Sequence, residues 1–226
     1  MAIDILHRDD LPLGGFAGLK EHRLVMNPEL FGQHVDPGTW PGIGGLAYLA
    51  DARFDPNGET TMHDHKEIDV ISVMIEGRID HQGSLAHGQG LEAGDVQVQR
   101  AGGEGFSHNE VNPDNALNRM IQLWVLPEKR GERAAYKLYK PLTGNVTRVY
   151  GGSSDQNDTL PSRTVIEIAP LNASQEFVLE KPFLVYLAAG KGTANNLDLE
   201  EGDLFKGDHL SFKAKSDVNL IAIYEV

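Results

Sequence analysis

The chemistry-bearing residues of this 226-residue chain gather in two short segments. The first is Thr61-Met62-His63-Asp64-His65-Lys66-Glu67, with two histidines two residues apart. Alternate residues of a β-strand point to one face, so His63 and His65 present two imidazoles side by side. Forty-three residues after His65 comes Ser107-His108-Asn109-Glu110, a second i, i+2 pair, now imidazole plus carboxylate. Neighbouring strands lie under about 5 Å apart, so pairing the two segments brings four ligand-type side chains together. Three neutral imidazoles and one carboxylate suit a borderline divalent ion: Fe(II), Mn(II), Co(II), Ni(II), Cu(II) or Zn(II). Four protein ligands leave positions open on an octahedral ion, as chemistry on dioxygen or a chelating substrate requires. A lone HxH more often marks surface or hydrogen-bonded histidines. The HxE pair, with Gly102, Gly103 and Gly105 just before it, is what turns the spacing into a metal-site prediction.

Such a site needs strands on both sides, and the punctuation of the chain supplies them. The 25 glycines and 11 prolines are spread as breaks between short β-branched or alternating runs. Residues 45–54 (GLAYLADARF) end at the turn Asp55-Pro56-Asn57-Gly58, and 70–75 (VISVMI) stop at Glu76-Gly77. Residues 78–81 begin a further strand, 95–99 (DVQVQ) alternate after Ala93-Gly94, and 119–126 (RMIQLWVL) close before Pro127. Short strands with a turn every 8–12 residues predict an antiparallel sandwich or barrel. A charged stretch at 127–133 and a polar linker at 151–161 follow. Strand-like runs then resume at 164–169, 177–179, 183–188, 197–199, 210–213 and 219–224. Gly94-Asp95 and Gly202-Asp203 mark equivalent turns, so the second half reads as a degenerate copy of the first. The expectation is an all-β chain of two tandem modules, 1–140 carrying the metal site and 141–226 without one.

Composition limits what such a chain binds. Twenty Lys and Arg stand against 33 Asp and Glu, a net charge of −13. That field repels a nucleic-acid backbone and an anionic membrane surface alike. With no cysteine there are no disulfides, no thiolate nucleophile and no Cys-based metal site. No apolar run reaches the roughly 18–20 residues that span a bilayer. The acidic first eleven residues lack an apolar signal core, so the expected location is the cytoplasm.

Gly58-x4-His63-x-His65, Glu76-Gly77, Gly94-Asp95 and His108-x3-Asn112 resemble the two-part metal motif of the cupin superfamily. Met62–Lys66, Val70–Gly77, Ala101–Gly105, His108–Glu110 and Asn112-Pro113 together are similar to the pirin family. The likeness covers roughly residues 15–130 well and the rest mainly in strand rhythm. It implies a bicupin of two jelly-roll-like β-barrels with iron or a related metal in the N-terminal barrel. It also implies His63, His65, His108 and Glu110 as the ligands, Fe(II) first among the candidate ions. Asp69 stands where cupin motifs usually carry glutamate, and the loop from Gly94 to His108 is one residue longer than the usual pirin pattern.

The resemblance implies a quercetin 2,3-dioxygenase-like oxidoreductase that opens a flavonol ring with O2. Glu110, the only carboxylate in the set, would take the proton of the substrate hydroxyl. The alternatives are a metal-binding, redox-sensitive regulatory or protein-interaction module, and a cupin enzyme acting on another small molecule. A metal-free bicupin would require both pairs to be coincidence. Elsewhere, His81 is read as a strand-end histidine or a support for the metal shell. His22, His34 and His87 are read as solvated, Asp64 and Glu67 as facing away from the metal, and Trp40 and Trp124 as core. His209, the only histidine of the second half, is read as no metal ligand.

Overall fold

The computed structural model describes residues 2–226. It is all-β apart from one short α-helix and two 3-10 turns, and it divides into two compact units. One holds Leu11–Pro41 and Gly45–Lys140; the other holds the chain up to Asp10, Gly42–Gly44 and Pro141–Val226. The first ten residues thus group with the second unit, because Asp4–His7 pairs antiparallel with Asp203–Gly207. Each unit is built of two antiparallel sheets, the bicupin arrangement expected from the strand rhythm.

The first unit has a seven-stranded sheet in the order Ala135–Tyr139, Val96–Arg100, Asp69–Glu76, Arg119–Val125, Leu46–Phe54, Leu19–Met26, Leu13–Phe16. Its four-stranded sheet runs His63–His65, Phe106–Val111, Arg78–Gly83, Gly90–Glu92. Alternation along these strands sends Leu19, Ala52, Phe54, Met74 and Met120 of the large sheet against Ile79 and Leu91 of the small one. Buried ion pairs tie neighbouring strands of the large sheet. Asp51 pairs with Arg119 at 2.9 and 2.5 Å, and Asp69 with Arg100 at 3.0 Å.

The second unit repeats the plan with a six-stranded sheet and the four strands Glu176–Leu179, Leu210–Ala214, Lys191–Ala194 and Leu197–Glu200. Phe183, Phe205 and Phe212 lie in its shared core. Thr147–Gly152 is a strand here, although the glycine pair reads as the start of a linker. Gly151 sits at φ +86°, and a Cβ there would lie 2.1 Å from the Thr164 carbonyl oxygen. The glycines therefore serve a bulged pairing with Ser162–Leu171, and the polar linker begins only after them. Among the described residues no helix is long and apolar enough to cross a membrane.

Candidate metal centre

The two segments singled out by spacing do pair. His63–His65 runs antiparallel to Phe106–Val111, with His108 directly opposite His63 and Phe106 opposite His65. On its other side Phe106–Val111 pairs with Arg78–Gly83, placing Gly83 opposite His108. That glycine is required: a Cβ would lie 2.4 Å from the Ser107 carbonyl oxygen and 3.0 Å from His108 Cα. Period-two alternation leaves His63, His65, His108 and Glu110 on one side, as expected.

Three imidazoles converge. His108 Nε2 lies 3.0 Å from His63 Nε2 and 3.2 Å from His65 Nε2. His63 Nδ1 lies 2.9 Å from the Thr61 carbonyl and donates to it, so in the neutral ring its Nε2 carries a lone pair. A single His108 Nε2 cannot hydrogen-bond fully to both neighbours, because it holds at most one proton. A cation resolves that conflict. With metal–nitrogen bonds of about 2.0–2.1 Å, donors at right angles stand about 3.0 Å apart, close to the spacing here. The residues present therefore fit a divalent transition metal, and among the described residues no other such group of His, Asp and Glu is found.

Burial sets the protonation of these ligands. Desolvation, and then the neighbouring imidazoles, push His108 down to about 2, and desolvation and His63 push His65 down to about 4. Both rings are neutral at pH 7, as a ligand must be. Glu110 is placed differently. It is fully buried on the same face, but its carboxyl is held back from the imidazole cluster, accepting from Ser72 Oγ at 3.1 Å and Gln122 Nε2 at 3.3 Å. Burial pushes its pKa up to about 7, against both hydrogen bonds.

The cluster opens on a cavity of about 510 Å³, within the roughly 300–1,000 Å³ of small-molecule sites. Its lining includes His63, His65, Glu110, Gln122, Trp124, Tyr48, Phe31, Glu21 and Arg23. Trp124 stacks on Tyr48 at 4.5 Å and stands edge-on to His65 at 5.5 Å. Phe31 lies against both, delivered by the short helix Pro28–Phe31, which starts at an Asn27 cap and a first-turn proline. Trp124 packs against the core as its apolar strand suggested, and it is also a cavity wall. Asp64 is exposed and accepts from Ser107 Oγ, and Glu67 accepts from the Gly131 N–H, so both are spent away from the imidazole cluster although they border the cavity.

His81 is wholly buried behind the site, 5.4 Å from the His108 ring, with its Nε2 3.2 Å from the Gln99 side chain. It supports the wall and does not reach the cluster. His22 bonds to the Leu11 carbonyl, and His209 to Glu180. His87 is exposed, and His34 is exposed at the cavity rim. Glu21, Arg23, Tyr48, Phe31, Ser72, Gln122 and Gly83 went unread in the sequence. The one available signal was the Glu-x-Arg spacing of Glu21 and Arg23, which continues the inward alternation from Leu19.

Residues 19–125 match the family described as Pirin. The chain is 31% identical over 184 residues to a pirin-like protein of Caulobacter vibrioides, covering 76% of this chain and 78% of that one. It is 28% identical over 208 residues to a candidate quercetin 2,3-dioxygenase of Zymomonas mobilis, covering 85% and 87%. A crystal structure of the Escherichia coli pirin YhhW in complex with nickel(II) superposes with a TM-score of 0.83 at 19% identity, covering 98% of both chains.

Proposed function

The chain belongs to the pirin family, and within it we propose a metal-dependent dioxygenase that opens the ring of a flavonol such as quercetin with O2. The observation that carries this reading is the union of three converging imidazoles and one buried, proton-accepting carboxyl at the wall of an aromatic cavity. A relative named as a quercetin 2,3-dioxygenase supports it. His63, His65 and His108 would hold the ion, Fe(II) first, with Mn, Co, Ni, Cu or Zn as alternatives. When bound, such an ion supplies Lewis acidity toward an enolic hydroxyl and a partner for dioxygen.

The remaining work belongs to the chain. Trp124, Tyr48 and Phe31 offer flat apolar surface that orients a planar substrate and keeps water from the reacting end. Glu110 faces the cavity beside the imidazoles, with Ser72 and Gln122 each using one lone pair of its carboxyl. The remaining lone pairs can accept the substrate's hydroxyl proton, and with its pKa near 7 Glu110 can take and release that proton at neutral pH. As a metal ligand it would have to turn from Ser72 and Gln122. As a base too it must turn toward the cavity, since its carboxyl has no exposed surface where it stands.

The test is to analyse metal in purified protein, load Fe(II) anaerobically, and add quercetin with air. Loss of the flavonol absorbance with release of carbon monoxide is expected, and both should vanish in His63→Ala. Stoichiometric metal without turnover would refute this reading in favour of a binding or redox-sensing role.

A further inference from the structure

The cavity has a second polar end that the metal chemistry does not use. Glu21 lies on the inward face of Leu19–Met26 and is only 2% exposed. An unpaired carboxylate so placed would be strongly disfavoured, yet this one is fixed by two donors. Arg23 Nε donates to its Oε1 at 2.8 Å, and Tyr48 Oη to its Oε2 at 2.7 Å. Arg23 Nη1 also donates to Asp36 Oδ2 at 3.2 Å. Two carboxylates against one guanidinium leave this end with a net negative charge. Each Glu21 oxygen keeps a free lone pair, so the end accepts hydrogen-bond donors and repels anions.

The spacing of the two ends follows from register. Gln122, which bonds Glu110, is opposite Ala50, and Ala50 is opposite Arg23, so the three lie at one level on adjacent strands. Two strand spacings set Arg23 roughly 10 Å from Gln122 at the backbone, with Glu21 two residues away along the same strand, opposite Ala52. A two- or three-ring aromatic skeleton spans that distance lengthwise. The Tyr48–Trp124 stack forms part of the cavity wall.

We propose that Glu21, held by Tyr48 and Arg23, is a distal specificity subsite that takes un-ionised phenolic hydroxyls of a planar aromatic whose enolic hydroxyl lies at the histidine end. This rests on the reading of the imidazole cluster as the reacting end. It narrows the substrate class to polyhydroxylated aromatics and excludes those with a carboxylate, sulfonate or phosphate on the far ring.

The experiment is an anaerobic titration of metal-loaded protein, followed by absorbance, with three probes: quercetin, 3-hydroxyflavone, and quercetin sulfonated on its catechol ring. Quercetin should bind at least about tenfold more tightly than either of the others, the scale of a hydrogen bond to a charged acceptor. In Glu21→Gln its advantage over both should shrink by about tenfold. Equal binding of the three probes by the wild-type chain overturns the subsite, even where the variant fails to fold. An undiminished advantage in a folded Glu21→Gln does the same. If none binds, or if binding survives unchanged in His63→Ala, the reading of the reacting end has failed and the subsite falls with it.

Discussion

Ser72 Oγ donates to Glu110 Oε1 across 3.1 Å, at a carboxyl with no exposed surface. Burial lifts that carboxyl from 4.5 to about 7 despite the bond. In chelator-treated protein the folded chain therefore keeps a proton that the unfolded chain releases. The stability contributed by Glu110 falls as pH rises from about 4.5 to about 7 and is level beyond. His65 and His108 act oppositely. Their folded values lie below 6.5, so their contribution grows as pH rises toward 6.5. Glu110→Gln removes the opposing group and should steepen the gain in stability between pH 5 and 7 by about 2–3 kcal/mol. Urea unfolding of both chains across this range measures it. Parallel curves would mean that the carboxyl stays ionised in the fold.

His108 is central to the donor set, since its Nε2 faces both other Nε2 atoms at 3.0 and 3.2 Å. Loss of an outer-shell partner typically weakens metal binding about 10–100-fold, and loss of a ligand should exceed that. We expect His108→Ala to lose bound metal on dialysis while keeping its β-sheet circular dichroism. Retention of one equivalent of metal would remove His108 from the ligand set.

Gly83 allows the strand of His108 to approach its neighbour. Gly83→Ala should lower stability by about 1–3 kcal/mol through overpacking against the Ser107 carbonyl, and weaken metal binding with it. Gly90→Ala is the control, because its added Cβ meets only ordinary contacts, the Ile79 carbonyl at 3.5 Å and Asp80 Oδ1 at 3.6 Å. That change should stay within about 0.5 kcal/mol. Denaturant midpoints and metal titrations on the pair of variants decide this, and equal effects would remove the steric argument.

The imidazole cluster was legible because a strand's period of two converts HxH and HxE spacing directly into shared faces. The two-module all-β plan was legible because glycine and proline bracket each run. What was hidden depends on register, which local spacing does not encode. Tyr48 and Trp124 are 76 residues apart and meet because the strands Leu46–Phe54 and Arg119–Val125 pair with these two opposite each other. The sequence displays Trp124 only as one more apolar strand residue. Thr147–Gly152 was hidden for a different reason: its glycines, a turn signal in sequence, are here the means of a bulged pairing.

Arg119 and Asp51 form a two-bond ion pair between neighbouring strands of the large sheet, with Arg119 wholly buried and Asp51 3% exposed. The pair's net stabilisation is small, because desolvation of both ions offsets their attraction, but removing one partner strands the other. Asp51→Asn should therefore lower unfolding stability by about 3–5 kcal/mol, because it takes the Asp51 charge from a buried guanidinium. The double change Asp51→Leu with Arg119→Met should recover most of that loss, since apolar groups of similar volume carry no desolvation term. Guanidinium unfolding of the single variant and the double one separates these effects. A loss below about 1 kcal/mol in Asp51→Asn would place the pair with exposed salt bridges.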